Sequence, residues 1–414
     1  MRVGTGALIL GTLAGCGLLP PAQAPAPLER RDATGPVAGT AAAPAAPAAA
    51  AEAPAPPGAS APAPPPPPPP APPVDPRRVR WQAADWGDLA GWSADRSADL
   101  WPALRNGCTR PAPGWNELCA RVLLEPAPAT HEAARQWLVT HLQPWRIESA
   151  DGRAEGLATG YFEPTIEASR RPRGAFRVPL HAPPADLATR RPYWTRQQLD
   201  TLPAAQDSLR GREIAWIEDP LDALMLQVQG SGRLRFTEPG GRATVVRLAF
   251  AAHNDQPYRS LGRWLVDQGE LTLEAASWPA VKDWARRNPR RVNELLWTNP
   301  RVVFFREEPL PDPALGPRGS QGVPLTPGRS VAVDPQALPY GSVLWLDTTE
   351  PMAPTPLRRL VVAQDSGGAI TGAVRIDLFF GWQADAEQQA GRMKQALRLW
   401  VLWPRGVALP VTAP

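Results

Sequence analysis

Cysteine, histidine and long apolar runs are scarce in this chain of 414 residues. It has three cysteines, and its four histidines are scattered and form no HExxH pattern. These absences argue against a zinc site and against a Cys–His nucleophile, so we expect no metal and no cofactor. After the N-terminus, no stretch approaches the ~20 apolar residues that span a bilayer. The formal net charge is only +4 and no lysine–arginine block occurs, which makes nucleic acid a poor candidate partner.

The N-terminus has the layout of a secretory signal. A positively charged start precedes an apolar segment that ends in L-A-G-C at Cys16. This ending resembles a bacterial lipoprotein signal, which implies that residues 1–15 are removed and that Cys16 is lipidated. The alternative is an ordinary signal peptide with an incidental cysteine. Because Gly17 is not the aspartate that usually retains lipoproteins in the inner membrane, we expect an outer-membrane lipoprotein that faces the periplasm.

Residues 16–78 are almost entirely alanine and proline, with uninterrupted prolines at 64–70. This composition cannot build a core and favours extended polyproline II. We therefore expect a disordered Pro/Ala-rich tether before the folded part.

The two remaining cysteines, Cys108 and Cys119, close a short loop. In an oxidising compartment such a pair is expected to form a disulfide. A disulfide there would fit the exported location that the N-terminus predicts.

Two aspartates carry the strongest chemical signal in the sequence. Asp365 ends the apolar run V-V-A-Q-D, and Asp377 lies inside the run A-V-R-I-D-L-F-F, with a glycine-rich turn between them. Both runs are typical of buried strands. A carboxyl in such a strand is paired, hydrogen-bonded or kept protonated with a raised pKa, and a general acid working near neutral pH needs a raised pKa. The alternative is structural: Asp365 caps the turn, and Asp377 points outward from an edge strand.

Tryptophan is abundant, with 17 residues. An indole ring stacks on the apolar face of a sugar while its nitrogen donates a hydrogen bond, so tryptophans near a carboxylate fit a glycan-binding groove. Trp345 and Trp382 are the nearest to the two aspartates in sequence. Core packing is the competing role for each of them.

Hydrophobic periodicity and capping residues predict the order of helices and strands. Helices are expected after Thr130, Thr195, Ser260, Ser277 and Asn288, with a last helix over about 384–399. Alternation at period two predicts strands over 224–232, 233–236 and 243–248. From Val302 onward the chain is mostly strand and turn, which suggests a small β-barrel in the C-terminal part.

Several motifs follow one another along the folded part. They are T-G-Y-F-E-P at 159–164, Q-V-Q-G-S-G at 227–232, P-Y-R-S-L-G at 257–262, N-P at 299–300, and D-S-G-G-A-I-T-G with R-I-D-L-F-F-G between 365 and 381. In this order the motifs resemble the membrane-bound lytic murein transglycosylase A family, whose C-terminal part is similar to the three-aspartate domain. The resemblance covers roughly residues 79–404.

The resemblance implies a mainly β fold. It consists of a double-psi β-barrel interrupted by a second, mostly β domain with a few helices, and a groove for the glycan strand lies between the two. By analogy the barrel takes residues 79–163 and 300–404, and the inserted domain takes 164–299. The implied partners are peptidoglycan glycan strands and, through the lipid on Cys16, the outer membrane; no motif points to a particular wall-synthesis complex.

The implied reaction cleaves the β-1,4 bond between N-acetylmuramic acid and N-acetylglucosamine without water. The muramic C6 hydroxyl attacks its own anomeric carbon and leaves a 1,6-anhydro end. One carboxyl suffices, because it first protonates the leaving oxygen and then accepts the C6 proton. The resemblance assigns this role to Asp377, with Asp365 as a supporting neighbour whose charge raises the pKa of Asp377. Asp334 is the third aspartate, and its place before a proline favours a structural turn.

The other candidate positions come from the same motifs. The polar side chains among them are expected to contact the substrate; the alternative is a purely structural role in hinge geometry, packing or a bulge. The glycines are expected to let the backbone approach a sugar closely. These candidates are Thr159, Tyr161, Gln229, Ser231, Gly367 and Gly368. Glu163 is assigned no chemistry.

Two other functions compete with this interpretation. A hydrolytic endoglycosidase on a similar barrel would need a second catalytic carboxylate, for which Asp365 and Asp334 are candidates. A non-catalytic lipoprotein on the same barrel would bind peptidoglycan without cutting it.

Overall fold

The computed structural model of this chain describes residues 72–237 and 240–410. The predicted signal peptide, the predicted lipidation site Cys16 and the predicted tether up to residue 71 lie outside the described residues. Within the described ranges, no helix combines the length and the apolarity needed to cross a membrane.

Strands and helices alternate irregularly along the described residues. The strands are β1 Val79–Ala83, β2 Leu142–Ser149, β3 Gly156–Tyr161, β4 Thr165–Ala168, β5 Val178–His181, β6 Glu213–Ile217, β7 Ser231–Thr237, β8 Ala243–His253, β9 Val303–Glu308, β10 Ser330–Ala332, β11 Val343–Thr349, β12 Pro356–Asp365, β13 Arg375–Phe379 and β14 Lys394–Pro404. The helices are α1 Trp101–Cys108, α2 Asn116–Leu124, α3 His131–His141, α4 Arg196–Thr201, α5 Pro203–Leu209, α6 Pro220–Gln229, α7 Leu261–Asp267, α8 Trp278–Arg287, α9 Val292–Trp297 and α10 Ala386–Arg392. Short 3-10 helices lie at Trp86–Asp88, Trp92–Ala94, Ser97–Leu100 and Pro289–Arg291.

An eight-stranded mixed sheet holds most of the core, and the fold is mainly β. Its strand order is β1-β2-β14-β11-β12-β10-β13-β3, and β14 also pairs with β3. That extra pairing closes part of the sheet into a ring of β14, β11, β12, β10, β13 and β3. Apolar side chains from these strands and from α1, α2 and α3 form the largest hydrophobic cluster of the described residues.

A second, four-stranded sheet has the order β4-β7-β8-β9, and β5 pairs with β6 in a separate hairpin-like ladder. The pairing of β9 with β8 places Val303–Glu308 in this sheet. The predicted boundary at residue 299 had assigned that strand to the barrel, whereas its pairing with β8 joins it to the four-stranded sheet.

Four helix N-termini lie where the capping residues predict them, whereas after Asn288 a 3-10 helix, Pro289–Arg291, precedes the start of α9 at Val292. The hydroxyl of Thr130 accepts a hydrogen bond from the backbone N–H of Ala133 at the start of α3. Ser260 and Ser277 cap α7 and α8 in the same way. At α4, Thr195 and Gln198 form the reciprocal capping box that the sequence indicates.

The predicted strand over 224–232 is wrong, because residues 220–229 form α6. The run L-M-L-Q-V-Q alternates, but so short an apolar run does not distinguish a strand from a buried helix. The capping residues decide the outcome. The Asp219 side chain accepts the N–H of Leu221, Pro220 occupies the first helical turn, and Gly230 ends the helix at φ 79°.

The predicted last helix over 384–399 is only partly correct. The α10 helix ends at Arg392, and β14 begins at Lys394. This strand pairs with β2, β11 and β3, so it is buried on both sides along most of its length. The sequence of such a strand is a nearly continuous apolar run, here L-R-L-W-V-L-W, so it lacks the alternation of apolar and polar residues that identifies a strand.

The pair Cys108 and Cys119 forms a disulfide that joins the end of α1 to α2. Both cysteines are buried against the largest hydrophobic cluster.

Candidate active site

Strand β10 brings the two aspartates of the closing motifs together. Ala332 is the register partner of Asp365 on the parallel strand β12 and of Asp377 on the antiparallel strand β13. Residues at the same level of neighbouring strands project their side chains to the same face of a sheet. The two carboxyls therefore flank Ala332, whose methyl group leaves space between them.

Asp377 lies opposite Thr159 of β3 and accepts a hydrogen bond of 2.5 Å from its hydroxyl. Among the described residues, Thr159 provides the only side-chain hydrogen bond to this carboxyl. Burial raises the pKa of Asp377 to about 6, against the lowering effects of the Thr159 hydrogen bond and the positive charge of Arg375, while the charge of Asp365 adds to the increase. Near neutral pH the carboxyl is therefore able both to give and to take a proton.

Asp365 is held by four hydrogen bonds. Its Oδ1 accepts the backbone N–H and the hydroxyl of Ser320 and the backbone N–H of Ser366, each at 2.9 Å. Its Oδ2 accepts the hydroxyl of Tyr161 at 2.9 Å. Burial raises the pKa of Asp365, and these donors oppose the increase. With its oxygens occupied in this way, Asp365 is fixed in position and poorly placed to attack a substrate.

Thr159 and Tyr161 are two residues apart on β3 and so lie on the same face of the strand. Thr159 contacts Asp377, whereas Tyr161 contacts Asp365. Burial, followed by the charge of Asp365, raises the pKa of Tyr161 well above its ordinary value, so the phenol stays protonated and donates. One strand thus supplies a hydroxyl to each carboxyl.

Asp334 lies in the turn after β10. It is buried, and its oxygens accept the backbone N–H of Gln336 at 3.0 Å and of Gly372 at 2.8 Å. Arg78 approaches it at 3.4 Å. The carboxylate therefore ties the turn after β10 to the loop that connects Asp365 with Asp377.

Gly367 and Gly368 lie exposed in that same loop. A Cβ added to Gly368 would meet no atom within 4 Å, whereas one added to Gly367 would lie 3.0 Å from Ile370 Cγ1. Packing therefore does not require glycine at residue 368, and its role in letting a ligand approach stays a prediction.

Gln229 and Ser231 are not joined to the aspartates by any hydrogen bond described for residues 72–237 and 240–410. Gln229 ends α6, and its Oε1 accepts the backbone N–H of Phe162 at 3.1 Å. It lines a cavity of about 220 Å³ together with Gly160 of β3 and Phe162, which follows β3 directly. Ser231 begins β7 and is half-buried opposite Ala249.

Glu163 lies just beyond β3, with a side chain fully shielded from solvent. It accepts hydrogen bonds from Nε of Arg233 at 2.8 Å and from Nε of Arg247 at 2.7 Å. The Arg233 guanidinium also lies 3.9 Å from the ring centre of Trp382. These contacts join the four-stranded sheet to the segment after β13, and the Glu163 carboxylate is the structural counter-ion of both arginines.

The two tryptophans singled out from the sequence have different surroundings. Trp345 on β11 is fully buried and belongs to the core. Trp382 is half-buried under Arg233. Neither observation places an indole beside the aspartates.

Sequence reasoning missed three residues of this site. Ser320 comes from a loop far upstream of Asp365, and no local pattern marks it. Ser366 follows Asp365 directly in D-S-G-G, and a turn at this sequence would have predicted the hydrogen bond from its N–H to the Asp365 carboxylate. Arg375 lies two residues before Asp377 on β13 and was recognisable from strand alternation alone. No group of three or more potential metal ligands clusters within the described ranges.

Comparison with known proteins gives a consistent result. The MltA specific insert domain matches residues 157–306, and the 3D domain matches residues 329–403. The membrane-bound lytic murein transglycosylase A of Vibrio cholerae is 33% identical over 267 residues, which cover 63% of this chain and 69% of the relative.

Two solved structures are also similar. MltA from Neisseria gonorrhoeae has 29% identity and a TM-score of 0.69, covering 84% of this chain and 98% of that one. The lytic transglycosylase LtgG of Burkholderia pseudomallei has 42% identity and a TM-score of 0.57, covering 81% and 100%. The chain therefore belongs to the membrane-bound lytic murein transglycosylase A family.

Proposed function

We propose that the chain is a lytic transglycosylase that cleaves the β-1,4 bond between N-acetylmuramic acid and N-acetylglucosamine of peptidoglycan, with Asp377 as the single acid/base. Membership of the family supports the reaction class, since its relatives are named lytic murein transglycosylases. The observation that carries the residue assignment is the half-buried carboxyl of Asp377, whose pKa burial raises to about 6.

The reaction takes place in two proton transfers at the same carboxyl. Protonated Asp377 gives its proton to the glycosidic oxygen of the leaving N-acetylglucosamine, and the bond from that oxygen to the muramic anomeric carbon breaks. The Asp377 carboxylate then accepts the proton of the muramic C6 hydroxyl, while the C6 oxygen bonds to the anomeric carbon. The result is a 1,6-anhydro end and a regenerated acid, with no water consumed.

The environment of Asp365 favours this reaction over hydrolysis. A retaining hydrolase needs a second carboxylate free to attack, and an inverting hydrolase needs one free to activate water. Both oxygens of Asp365 are engaged by Ser320, Ser366 and Tyr161. Asp334 is engaged by backbone groups. We therefore assign Asp365 to electrostatic and positional support of Asp377, and Asp334 to the connecting loop.

The proposed architecture around this chemistry is a double-psi β-barrel with a substrate groove beside an inserted domain. The barrel would comprise residues 79–163 and the C-terminal part up to 404, and the closed ring of paired strands supports it. Thr159 and Tyr161 would line the groove at the carboxyls, with backbone approach at Gly367 and Gly368. Gln229 and Ser231 would contact substrate further away, Gln229 through its amide N–H groups.

The proposed location is the periplasmic face of the outer membrane, with Cys16 as lipid anchor and the Pro/Ala-rich tether as spacer. The lipoprotein-like N-terminus supports this location, as does the word membrane-bound in the names of the relatives.

Analysis of products from isolated sacculi tests the proposal. The purified chain should solubilise sacculi and release muropeptides with 1,6-anhydromuramic ends, which mass spectrometry distinguishes from hydrolysed reducing ends by the missing water. Reducing ends would indicate a hydrolase, and sacculi that are bound but not solubilised would indicate a wall-binding lipoprotein.

A further inference from the structure

A pocket of about 520 Å³ opens in the inserted segment, built from the loop after β5 and the end of β8. Its volume falls within the range of small-molecule sites, which combine apolar walls with a few polar groups. Its lining combines apolar side chains with charged or polar ones. The residues that matter here are Pro183, Leu187, Phe250, Arg191, His253 and Asp255.

Phe250 supplies an exposed aromatic ring near the end of β8. Its side chain is 43% exposed, and it directly follows Ala249, where the pairing of β8 with β7 ends. A register shift between Phe250 and Ala252 interrupts the pairing with β9 at this point. Bulges commonly re-aim side chains near binding sites. The shift at Phe250 leaves the ring at the pocket instead of in the core, where a phenylalanine is ordinarily placed.

Asp255, two residues beyond the end of β8, adopts a strained backbone. Its φ of 55° makes it the only non-glycine residue with positive φ among residues 72–237 and 240–410. Such conformations are energetically costly and concentrate at functional positions. The strain is accompanied by a polar arrangement: the Asp255 N–H donates to His253 Nδ1 at 3.0 Å, and Arg191 approaches the carboxylate at 3.5 Å.

His253 completes the polar lining of the pocket. Its Nδ1 lies 3.0 Å from the backbone nitrogen of Asp255 and 3.2 Å from the Asp255 carboxylate. Burial lowers the pKa of His253, and the charge of Arg301 lowers it further, against the opposing charge of Asp255. The pocket thus presents an imidazole, a guanidinium and a carboxylate together with an aromatic ring, and the centre of the His253 ring lies 6.2 Å from that of Phe250.

This combination matches the two sides of a pyranose. An aromatic ring packs on the apolar C–H face of a sugar, while a carboxylate accepts its hydroxyl hydrogens and N–H groups donate to its oxygens. We propose that this pocket binds an N-acetylated sugar unit of a glycan strand, as a second and non-catalytic contact with the polymer. The choice of sugar rests on the proposed function, because the same polymer is then already held at Asp377.

Photo-cross-linking of the full chain tests the pocket directly. The probe is a chitotriose with a diazirine on one N-acetyl group, applied to the Asp377→Asn chain to prevent turnover, followed by peptide mapping by mass spectrometry. Labelled peptides should include residues 183–191 or 250–255. Phe250→Ala should reduce this label about tenfold, which corresponds to about 1.4 kcal/mol of binding free energy, and Arg191→Gln should reduce it severalfold.

Matched variants exclude a general effect on folding. Phe250→Trp retains an aromatic ring and should keep the label. Val245→Ala, at an exposed apolar position 37% accessible on the same strand, should also keep it. Equal loss in all variants, or label that is confined to peptides around Thr159, Asp365 and Asp377, would overturn the proposal.

Two outcomes separate this inference from the proposed function. If wild-type chain yields anhydro products but the pocket is never labelled, the sugar-binding pocket is wrong and the enzymatic function stands. If the pocket is labelled but sacculi yield no anhydro products, the enzymatic function is wrong.

Labelling of the pocket by a diazirine-bearing stem peptide and not by chitotriose would assign the pocket to peptide and would also overturn the proposal.

Discussion

Two acidic side chains in this protein, the buried Glu163 and the half-buried Asp377, have different partners. Glu163 is enclosed by the guanidiniums of Arg233 and Arg247, which makes it a structural counter-ion between two parts of the chain. Asp377 receives one hydroxyl hydrogen bond, from Thr159, and its pKa rises to about 6 because burial is not compensated by a paired cation. Burial alone therefore does not mark a catalytic acid; the difference is whether the fold supplies a paired cation.

The largest expected effect is on activity. Asp377→Asn removes the proton donor but keeps the size of the side chain and an acceptor for Thr159, so the release of muropeptides should fall by about 10²- to 10⁴-fold. Asp267→Asn, at an exposed aspartate on α7, is the control and should retain activity. Substantial anhydro-muropeptide release by Asp377→Asn would show that another residue is the acid.

Substitution of Glu163 should instead lower the stability of the fold. Glu163→Gln leaves two buried guanidiniums without their anion, which is expected to cost about 3–5 kcal/mol in the free energy of unfolding. Its matched control is Glu167→Gln, which removes one partner of the exposed pair with Arg235 and should cost no more than about 1 kcal/mol. Urea denaturation measures both. Equal costs would mean that the buried cluster is not the ion-pair site described above.

Asp377→Asn should also change how stability depends on pH. The folded protein holds the Asp377 proton more tightly than the unfolded chain does, because the pKa is about 6 instead of 3.8. The ionised carboxylate therefore destabilises the wild type increasingly between pH 3.8 and 6, and fully above that range. At pH 8 the variant should be more stable than wild type by up to about 3 kcal/mol, and this advantage should disappear at low pH. An advantage independent of pH would contradict the raised pKa.

The smallest expected effect concerns Arg375. Its positive charge lowers the pKa of Asp377, whereas the charge of Asp365 raises it and the neutral phenol of Tyr161 does not oppose it. Arg375→Gln should raise the pKa of Asp377, so that activity persists to a pH higher by less than about one unit. Arg375→Lys retains the charge and should keep the wild-type pH profile. A shift to lower pH in Arg375→Gln would contradict the assigned role.

Local patterns predicted much of this structure and failed at identifiable places. The strands that carry Asp365 and Asp377 were recognisable because a short apolar run bounded by glycines is typical of a buried strand that ends in a turn. The α6 helix was missed because a short alternating run was given more weight than the caps at Asp219 and Gly230. The β14 strand was missed because burial on both sides removes alternation.

The partners of the acids were less accessible to sequence reasoning. Ser320 reaches Asp365 from a separate loop, and Arg233 and Arg247 reach Glu163 from β7 and β8. Such contacts depend on tertiary folding, which no local pattern encodes. The identity of the catalytic candidates was therefore predictable, whereas the groups that set their protonation were not.

The central claim is that Asp377 holds a proton near neutral pH, and an NMR titration of the protein with 13C-labelled aspartate carboxyls measures this most directly. One resonance should titrate with a pKa of about 6 and should be absent from Asp377→Asn. A resonance assigned to Asp377 that titrates near the ordinary value of 3.8 would contradict the account.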